Sequence, residues 1–314
     1  MQPTPRPLLK WVGGKTQLLP HILPAFPVRF GRYFEPFTGG GSVFFALNRE
    51  ESCRFNGATL VDSNANLINF YQVVRAFPGP FMQRLRELEE EYEQAPEKTY
   101  AEWRSKPLRD PLLKAAQFLL INKAGFNGLY RVNKRGVCNV PWGKRAKVSL
   151  FEEENLIACS KALEPVHLVQ GDFASVLDWA KAEDLVYFDP PYTPVSVTAC
   201  FTGYTAEGFS PDDHHRLALT FRELHQRGVY VVLSQADTPD VRELYQDFDI
   251  QVVSAKRNVN SRGDKRGPVD EVLVCSRLVP RPSEVPAVSR QCPVCGRMPM
   301  TWLCPEECNS LLPT

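Results

Sequence analysis

The stretch "LVYFDPPYTP" sets Asp189 directly after an apolar run, Leu185 to Phe188. Four apolar residues in succession predict a buried strand. Open α/β sheets bind ligands at the carboxyl ends of their strands, where Asp189 falls. Pro190 and Pro191 fix the backbone and remove two N–H donors. Tyr192 adds an aromatic face. A rigid loop alone requires neither the acid nor the ring. The set suits recognition of a planar amino group: the Asp189 carboxylate and the Pro190 carbonyl accept its two hydrogens, and Tyr192 stacks on the ring that carries it.

A second set lies in "YFEPFTGGGSVFFAL", where a strand runs into Gly39-Gly40-Gly41 and a helix follows. Glycines let a backbone approach a ligand closely, and a helix N-terminus offers N–H groups to it. Asp62 ends the next expected strand about twenty residues on, where an acid commonly binds ribose hydroxyls. The pair points to a ligand containing a ribose.

"LLKWVGGKTQLL" contains Gly14-Lys15-Thr16, the second half of a phosphate-binding loop. The spacing of that loop requires a glycine where Leu9 stands, and a strand where "MQPTPRP" stands. ATP binding is rejected on both counts. A glycine turn with a solvated lysine is what these residues support by themselves.

These sets must be positioned by a fold. Short apolar runs alternate with glycine turns and helical periods from Leu8 to about Val74, and again from Val166 to Leu278. That alternation predicts an α/β fold with a parallel sheet. "RYFEPF", "ATLVD", "HLVQGDF", "DLVYFDPP" and "GVYVVLSQAD" are the expected strands, and "FDIQVVSAKR" and "DEVLVCS" an antiparallel closing pair. Between the two α/β pieces the texture is helical, with "PFMQRLRELEEEYEQ" acidic and amphipathic and "PLLKAAQFLLINKAG" apolar. The expected organisation is therefore 1–76 and 151–278 forming one sheet domain, 77–150 an insertion, and 279–314 a proline-rich linker with a cysteine-rich tail.

Net charge is only +1 over 314 residues, but it is unevenly spread. From Trp103 to Lys147 eleven Lys and Arg face Asp110 alone, a local charge of +10. A one-sign patch of that density suits phosphate. The apolar fraction of 43% supports a real core, and no apolar run is long enough to span a bilayer. The N-terminus lacks an apolar signal region, which predicts a cytoplasmic protein with reduced thiols. Cys53, Cys138, Cys159, Cys200 and Cys275 are expected to be packing residues. Cys292, Cys295, Cys304 and Cys308 have spacing suited to a structural zinc ion, with an unstructured tail of reduced thiols as the open alternative. His214 and His215, on the expected helix "PDDHHRLALTFRELHQRG", are expected at the surface.

Asp-Pro-Pro-Tyr, preceded in order by "KWVGGK", "EPFTGGGS" and "VDSNANLI", resembles the motif series of the Dam-like DNA adenine-N6 methyltransferases. "GFNGLYRVNKRGVCNVPWG" is similar to the DNA-reading hairpin of that family. The resemblance covers nearly all of Leu8 to Leu278. It implies a Rossmann-like S-adenosylmethionine-dependent methyltransferase sheet with an inserted, mainly helical DNA-recognition domain. It further implies methyl transfer to the exocyclic amino nitrogen of adenine in double-stranded DNA, after the base is flipped from the stack. Asp189, Pro190 and Tyr192 match the catalytic motif. Trp11, Lys15, Glu35, Phe37, Gly39, Gly41, Asp62, Asp172, Phe173 and Asp189 match cofactor-binding positions. Lys10, Phe126, Asn127, Leu129, Arg131, Asn139 and Pro141 match DNA-binding positions. Relatives often carry tyrosine where Phe126 stands, so a polar contact is not expected there. The hairpin is most similar to those of members that methylate GATC, and Arg131 suits its guanine because a guanidinium matches two major-groove acceptors. "SAKRNVNSRGDKRGP" reads as a second basic loop on phosphate. Methylation of a cytosine amino group and DNA binding without catalysis remain as competing readings; the complete motif set weighs against the latter.

Overall fold

The computed structural model describes residues 3–49, 55–128, 131, 138–192, 209–256 and 268–276, all within a compact unit spanning Met1–Arg277. In chain order the elements are α1 (Leu19–Ile22), β1 (Tyr33–Pro36), α2 (Ser42–Leu47), β2 (Ala58–Asp62), α3 (Ala65–Ala76), α4 (Pro78–Gln94), α5 (Pro96–Ser105), α6 (Pro111–Ala124), α7 (Glu153–Leu163), β3 (Val166–Gln170), β4 (Leu185–Phe188), α8 (Pro211–Gln226), β5 (Tyr230–Ala236), α9 (Pro239–Leu244), β6 (Asp249–Lys256) and β7 (Pro268–Cys275).

The strands form one seven-stranded sheet in the order β3-β2-β1-β4-β5-β7-β6. β1 to β5 pair in parallel, and β7 runs antiparallel to both β5 and β6. The expected α/β class and the antiparallel closing pair are both present. From β1 the chain moves outward to β2 and β3 on one side, then returns to start β4 on the other. The β1/β4 junction is thus the topological switch point, where crossovers diverge and leave a crevice.

Side chains alternate across each strand. Tyr33, Leu185, Tyr187, Val232, Leu273 and Cys275 face one core, shared with α3, α4, α5, α6 and α7. Phe34, Val186, Phe188, Val231, Leu233, Val272 and Val274 face the other, shared with α8 and α9. The helices of the insertion share the first core: Phe81, Leu85, Trp103 and Phe118 are buried in it.

Capping residues mark the helix starts. Asn64 accepts from Asn66 and Leu67 at α3, Asp110 accepts from Leu113 at α6, and Ser210 with Asp213 forms a capping box at α8. α5 and α7 were not expected from the sequence. The helical period of α8 also corrects the expectation for His214. With Leu217, Ala218 and Phe221 it lies on the stripe facing the sheet, so it is buried, its ring edge-on to Phe209 at 4.7 Å between centroids. His215 is exposed as expected. Cys159 and Cys275 are buried and Cys138 is partly buried; Cys53 and Cys200 lie outside the described residues. No described helix is long and apolar enough to cross a membrane.

Candidate active site and DNA interface

The switch point gathers the three motifs. β4 ends at Phe188, and Asp189 stands at the sheet's carboxyl edge. Its carboxylate meets the Lys15 ammonium at 2.6 Å and accepts from the Ser234 hydroxyl on β5 at 3.1 Å. Lys15 is 4% exposed and Asp189 21% exposed, so the pair is largely removed from water while the acid keeps an open side. Burial pushes the Asp189 carboxyl up from its ordinary value, and Lys15, first by charge and then by hydrogen bonding, pulls it down. Lys15 also donates to the Gly13 carbonyl at 3.0 Å and lies over the Tyr192 ring at 4.7 Å. Lys15 is therefore not the solvated lysine of a plain glycine turn, and among the described residues no strand precedes it as a phosphate loop requires. Tyr192 donates its hydroxyl to Glu271 on β7. Burial, then the Asp189 and Glu271 carboxylates, push that hydroxyl far up, which keeps it a donor.

The glycine loop between β1 and α2 is built around Trp11. Gly39 has φ +48°, and a Cβ there would stand 2.6 Å from the Trp11 ring. Gly41 has φ +66° and would press a Cβ on Phe45 at 3.1 Å. Both positions require glycine. The Gly39 N–H donates to Asp62 at 3.1 Å, and the Asn64 N–H donates to the other Asp62 oxygen at 2.9 Å. Burial raises the Asp62 carboxyl, and those two backbone donors oppose it. The Asn64 side-chain Nδ2, two residues on, is a buried donor with no hydrogen-bond partner among the described residues. A glycine cradle that a Cβ would fill, a carboxylate at a strand end and an unsatisfied buried donor together fit an adenosine-containing ligand.

Glu35 lies under the same loop, 3% exposed. One of its oxygens accepts from the Tyr33 hydroxyl at 2.9 Å and from the Phe44 N–H at 3.0 Å. Burial dominates over these bonds and raises its carboxyl to about 8, with the Asp189 charge adding to the rise. Phe37 takes φ +64°, a conformation a bulky side chain rarely adopts and one that clusters at functional sites. Its ring stacks on Phe173 at 5.3 Å and meets Phe209 edge-on at 5.5 Å. Asp172 caps the turn that carries Phe173 and is gripped by both terminal nitrogens of Arg216 at 3.0 and 2.8 Å. The Arg216 guanidinium lies 4.5 Å over the Phe173 ring. Through these contacts the expected cofactor and catalytic residues converge, and Pro190 is buried beside Asp189. Glu271, Ser234 and Arg216 were missed from the sequence. The one available signal was an acid, Glu271, inside the apolar strand "DEVLVCS".

The described residues expected to bind DNA gather at the end of α6. The Phe126 N–H donates to the Pro141 carbonyl at 2.9 Å, and Gly125 bridges Trp142 antiparallel. Phe126 is 51% exposed, and Asn127 turns the chain at φ 55°. Arg131 Nε donates to the Asn139 side-chain oxygen at 2.8 Å, and the Asn139 N–H returns to the Arg131 carbonyl at 3.1 Å. Asn122, buried on α6, accepts from the Lys10 N–H at 2.8 Å and donates to the Lys10 carbonyl at 2.7 Å. Lys10 thereby sits against the hairpin. Burial, then the Arg145 charge, lowers the Lys10 ammonium, and burial, then Lys10, lowers that of Lys123. Leu129, most of "SAKRNVNSRGDKRGP", and the cysteines 292, 295, 304 and 308 lie outside the described residues. No group of potential metal ligands occurs among the described residues.

Known proteins are similar to this chain in sequence over most of its length. The type II methyltransferase M1.LlaDCHI of Lactococcus lactis subsp. cremoris is 37% identical over 282 residues, 86% of this chain and 94% of its own length. The type II methyltransferase M.MjaIII of Methanocaldococcus jannaschii is 39% identical over 276 residues, 83% of this chain and 95% of its own. The DNA adenine methylase of Escherichia coli K12 is 36% identical over 270 residues, 85% of this chain and 94% of its own. The family model for D12 class N6 adenine-specific DNA methyltransferases matches residues 11–259, from Trp11 through both glycine turns, the insertion and Asp189 to the start of the second basic loop. A sequence that matches this family over most of its length, folded as a largely parallel α/β sheet with Asp189 at its switch point, makes the chain a member of the D12 class N6 adenine-specific DNA methyltransferases.

Proposed function

We propose that this methyltransferase modifies adenine in duplex DNA within GATC, with Asp189, Pro190 and Tyr192 as the residues that meet the flipped base. The observation that carries the site assignment is the Lys15-held Asp189 carboxylate at the sheet edge, followed by two prolines and an aromatic ring. The amino nitrogen of adenine is a weak nucleophile because its lone pair is delocalised into the ring. Asp189 and the Pro190 carbonyl, accepting its two hydrogens, turn that lone pair toward the incoming carbon and stabilise positive charge as it develops. Tyr192 replaces the stacking that the base loses on leaving the duplex. S-adenosylmethionine, when bound, supplies a methyl group already activated on a sulfonium. Gly39, Gly41 and Trp11 shape its cradle, Asp62 takes the ribose hydroxyls, and Asp172 and Phe173 take the adenine end, with Lys15, Glu35 and Phe37 packed around the methionine side.

The insertion, 77–150, supplies DNA contacts to the sheet domain formed by 1–76 and 151–278. Lys10, Lys123 and Arg145 suit phosphate, and Phe126, Asn127, Leu129, Asn139 and Pro141 suit the base stack. Arg131 accounts for one guanine, since a wrong base would leave its donors without acceptors. The thymine and cytosine of GATC rest on similarity of the hairpin to those of the family. Incubation of a plasmid with the enzyme and methyl-labelled S-adenosylmethionine, followed by nucleoside analysis and methylation-sensitive digestion, tests the proposal. N6-methyladenine in GATC supports it; a cytosine product, or a site lacking guanine next to the modified adenine, overturns it. A structural zinc ion on Cys292, Cys295, Cys304 and Cys308 rests on spacing alone. Elemental analysis decides it, and truncation after Leu278 tests whether the remaining chain is the whole catalytic unit, with cofactor binding retained.

A further inference from the structure

Glu271 is 7% exposed on β7, a strand otherwise apolar from Val272 to Cys275. Removing a carboxylate from water costs several kcal/mol unless it is bonded, so a buried acid calls for a partner that needs it. Its side shares the face of Leu273 and Cys275. The register then builds a rising series across four adjacent strands. Glu35 on β1 is followed by Asp189 beyond β4, level with Ser234 on β5, and by Glu271 opposite Ala236. Each polar group stands on the same face, one step further toward the carboxyl edge than the apolar residue before it. Tyr192 leans across this series. Its hydroxyl bonds Glu271 and its ring face lies against Lys15, so it is held at both its end and its face.

We propose that Glu271 is a positioning residue for methyl transfer: by accepting the Tyr192 hydroxyl it fixes the plane of the ring on which the flipped adenine stacks. A tyrosine ring turns about two side-chain torsions, and Asp189 and Pro190 constrain the base only at its amino edge. The base plane is set when the ring beneath it is set. In this role Glu271 acts on the base through the Tyr192 hydroxyl. This inference rests on the stacking role given to Tyr192 above.

The test uses the full-length enzyme and a duplex with 2-aminopurine at the target adenine, whose fluorescence rises when the base leaves the stack. Single-turnover methylation of the ordinary duplex is measured in parallel. Glu271→Leu is expected to slow single-turnover methylation at least about tenfold, with S-adenosylmethionine affinity unchanged and the flipped-base fluorescence altered. Glu271→Gln, which keeps an acceptor, is expected to recover most of the rate. Tyr192→Phe is expected to match Glu271→Leu, and the double variant to be no slower than either single one. Additive losses in the double variant overturn the proposal, because Glu271 then acts apart from the hydroxyl. If Glu271→Leu does not fold, Tyr192→Phe alone decides: wild-type rates in that variant overturn it. The underlying reading fails separately, through wild-type methylation by Tyr192→Ala; impaired Tyr192→Ala beside normal Glu271→Leu rejects the Glu271 role and leaves the stacking role standing.

Discussion

The sheet edge proposed for catalysis and the basic insertion use the same kinds of residue in opposite ways. At the sheet edge, ionisable groups are buried and satisfied by the protein itself: Lys15 by Asp189, Glu35 by Tyr33 and Phe44, Asp62 by Gly39 and Asn64. In the insertion, Lys106, Arg109, Lys144, Arg145 and Lys147 are solvent-facing, and Arg131 donates its Nε to the side chain of Asn139. The difference fits the roles proposed for the two regions. Charge that develops in a transition state is stabilised best by groups already fixed before the reaction. Phosphate is abundant along DNA and is met by exposed cations whose counterions are released on binding. Perturbed carboxyl groups accordingly concentrate at the first region, and exposed cations at the second.

The largest effect that sharpens this comparison comes from breaking the buried pair from the lysine side. Lys15→Met leaves Asp189 without its cation. A cost toward the low end of roughly 3–5 kcal/mol in stability is expected, since Asp189 keeps an open side. Lys15 holds the Asp189 carboxyl down, so its removal raises the pH at which the carboxylate forms. The acid limb of the pH–rate profile therefore moves to higher pH. Thermal melting and kcat measured across pH check both parts; an unmoved acid limb would show that the pair does not tune Asp189.

The insertion gives a middle-sized and differently shaped response. Arg131→Ala is expected to cost roughly 1–3 kcal/mol and relax selectivity at one guanine, whereas Lys144→Ala weakens all sequences about equally and reduces the salt slope. Binding to matched and mismatched duplexes over a salt series separates them. Equal discrimination by the two variants would erase the distinction between reading and phosphate contact in this region.

A further effect is on the pH dependence of stability. Glu35 has its carboxyl raised to about 8 by burial, well above its ordinary 4.5. As pH rises through that window the unfolded chain releases a proton that the folded protein keeps, so this group's contribution to stability falls. Glu35→Gln should flatten the decline of Tm between pH 5 and 8, with each kcal/mol worth on the order of 2–4 °C. An unchanged slope would place the pH dependence elsewhere.

Much of the site was legible because it depends on local grammar. An acid after an apolar strand, glycines before a helix and an acid ending the next strand are all short-range signals, and the structure gathers all three. Lys15 was harder. Its sequence neighbours offered only a glycine turn, and its partner Asp189 is 174 positions away, just beyond a strand that only the sheet order brings close. Glu271 and Arg216 were missed for the same reason: each acts on a motif residue from another element, Glu271 on Tyr192 and Arg216 on Asp172. α7 escaped notice because long-range bonds help hold it: Asn155 binds the Arg6 N–H at 2.8 Å across 149 positions. His214 was misjudged because its two-histidine run looked polar, whereas the helical period turns only one of the two inward.

The central claim is that Asp189 acts on the reacting amino group and not on the binding of either ligand. Single-turnover methylation by Asp189→Ala, with S-adenosylmethionine and duplex affinities measured on the same preparation, tests it most directly. The rate should fall at least about 100-fold, the scale for removing one preorganised group that meets developing charge. Affinity for DNA should change by less than about tenfold, or 1.4 kcal/mol. A near-normal methylation rate, or a loss explained entirely by weakened binding, would contradict that claim.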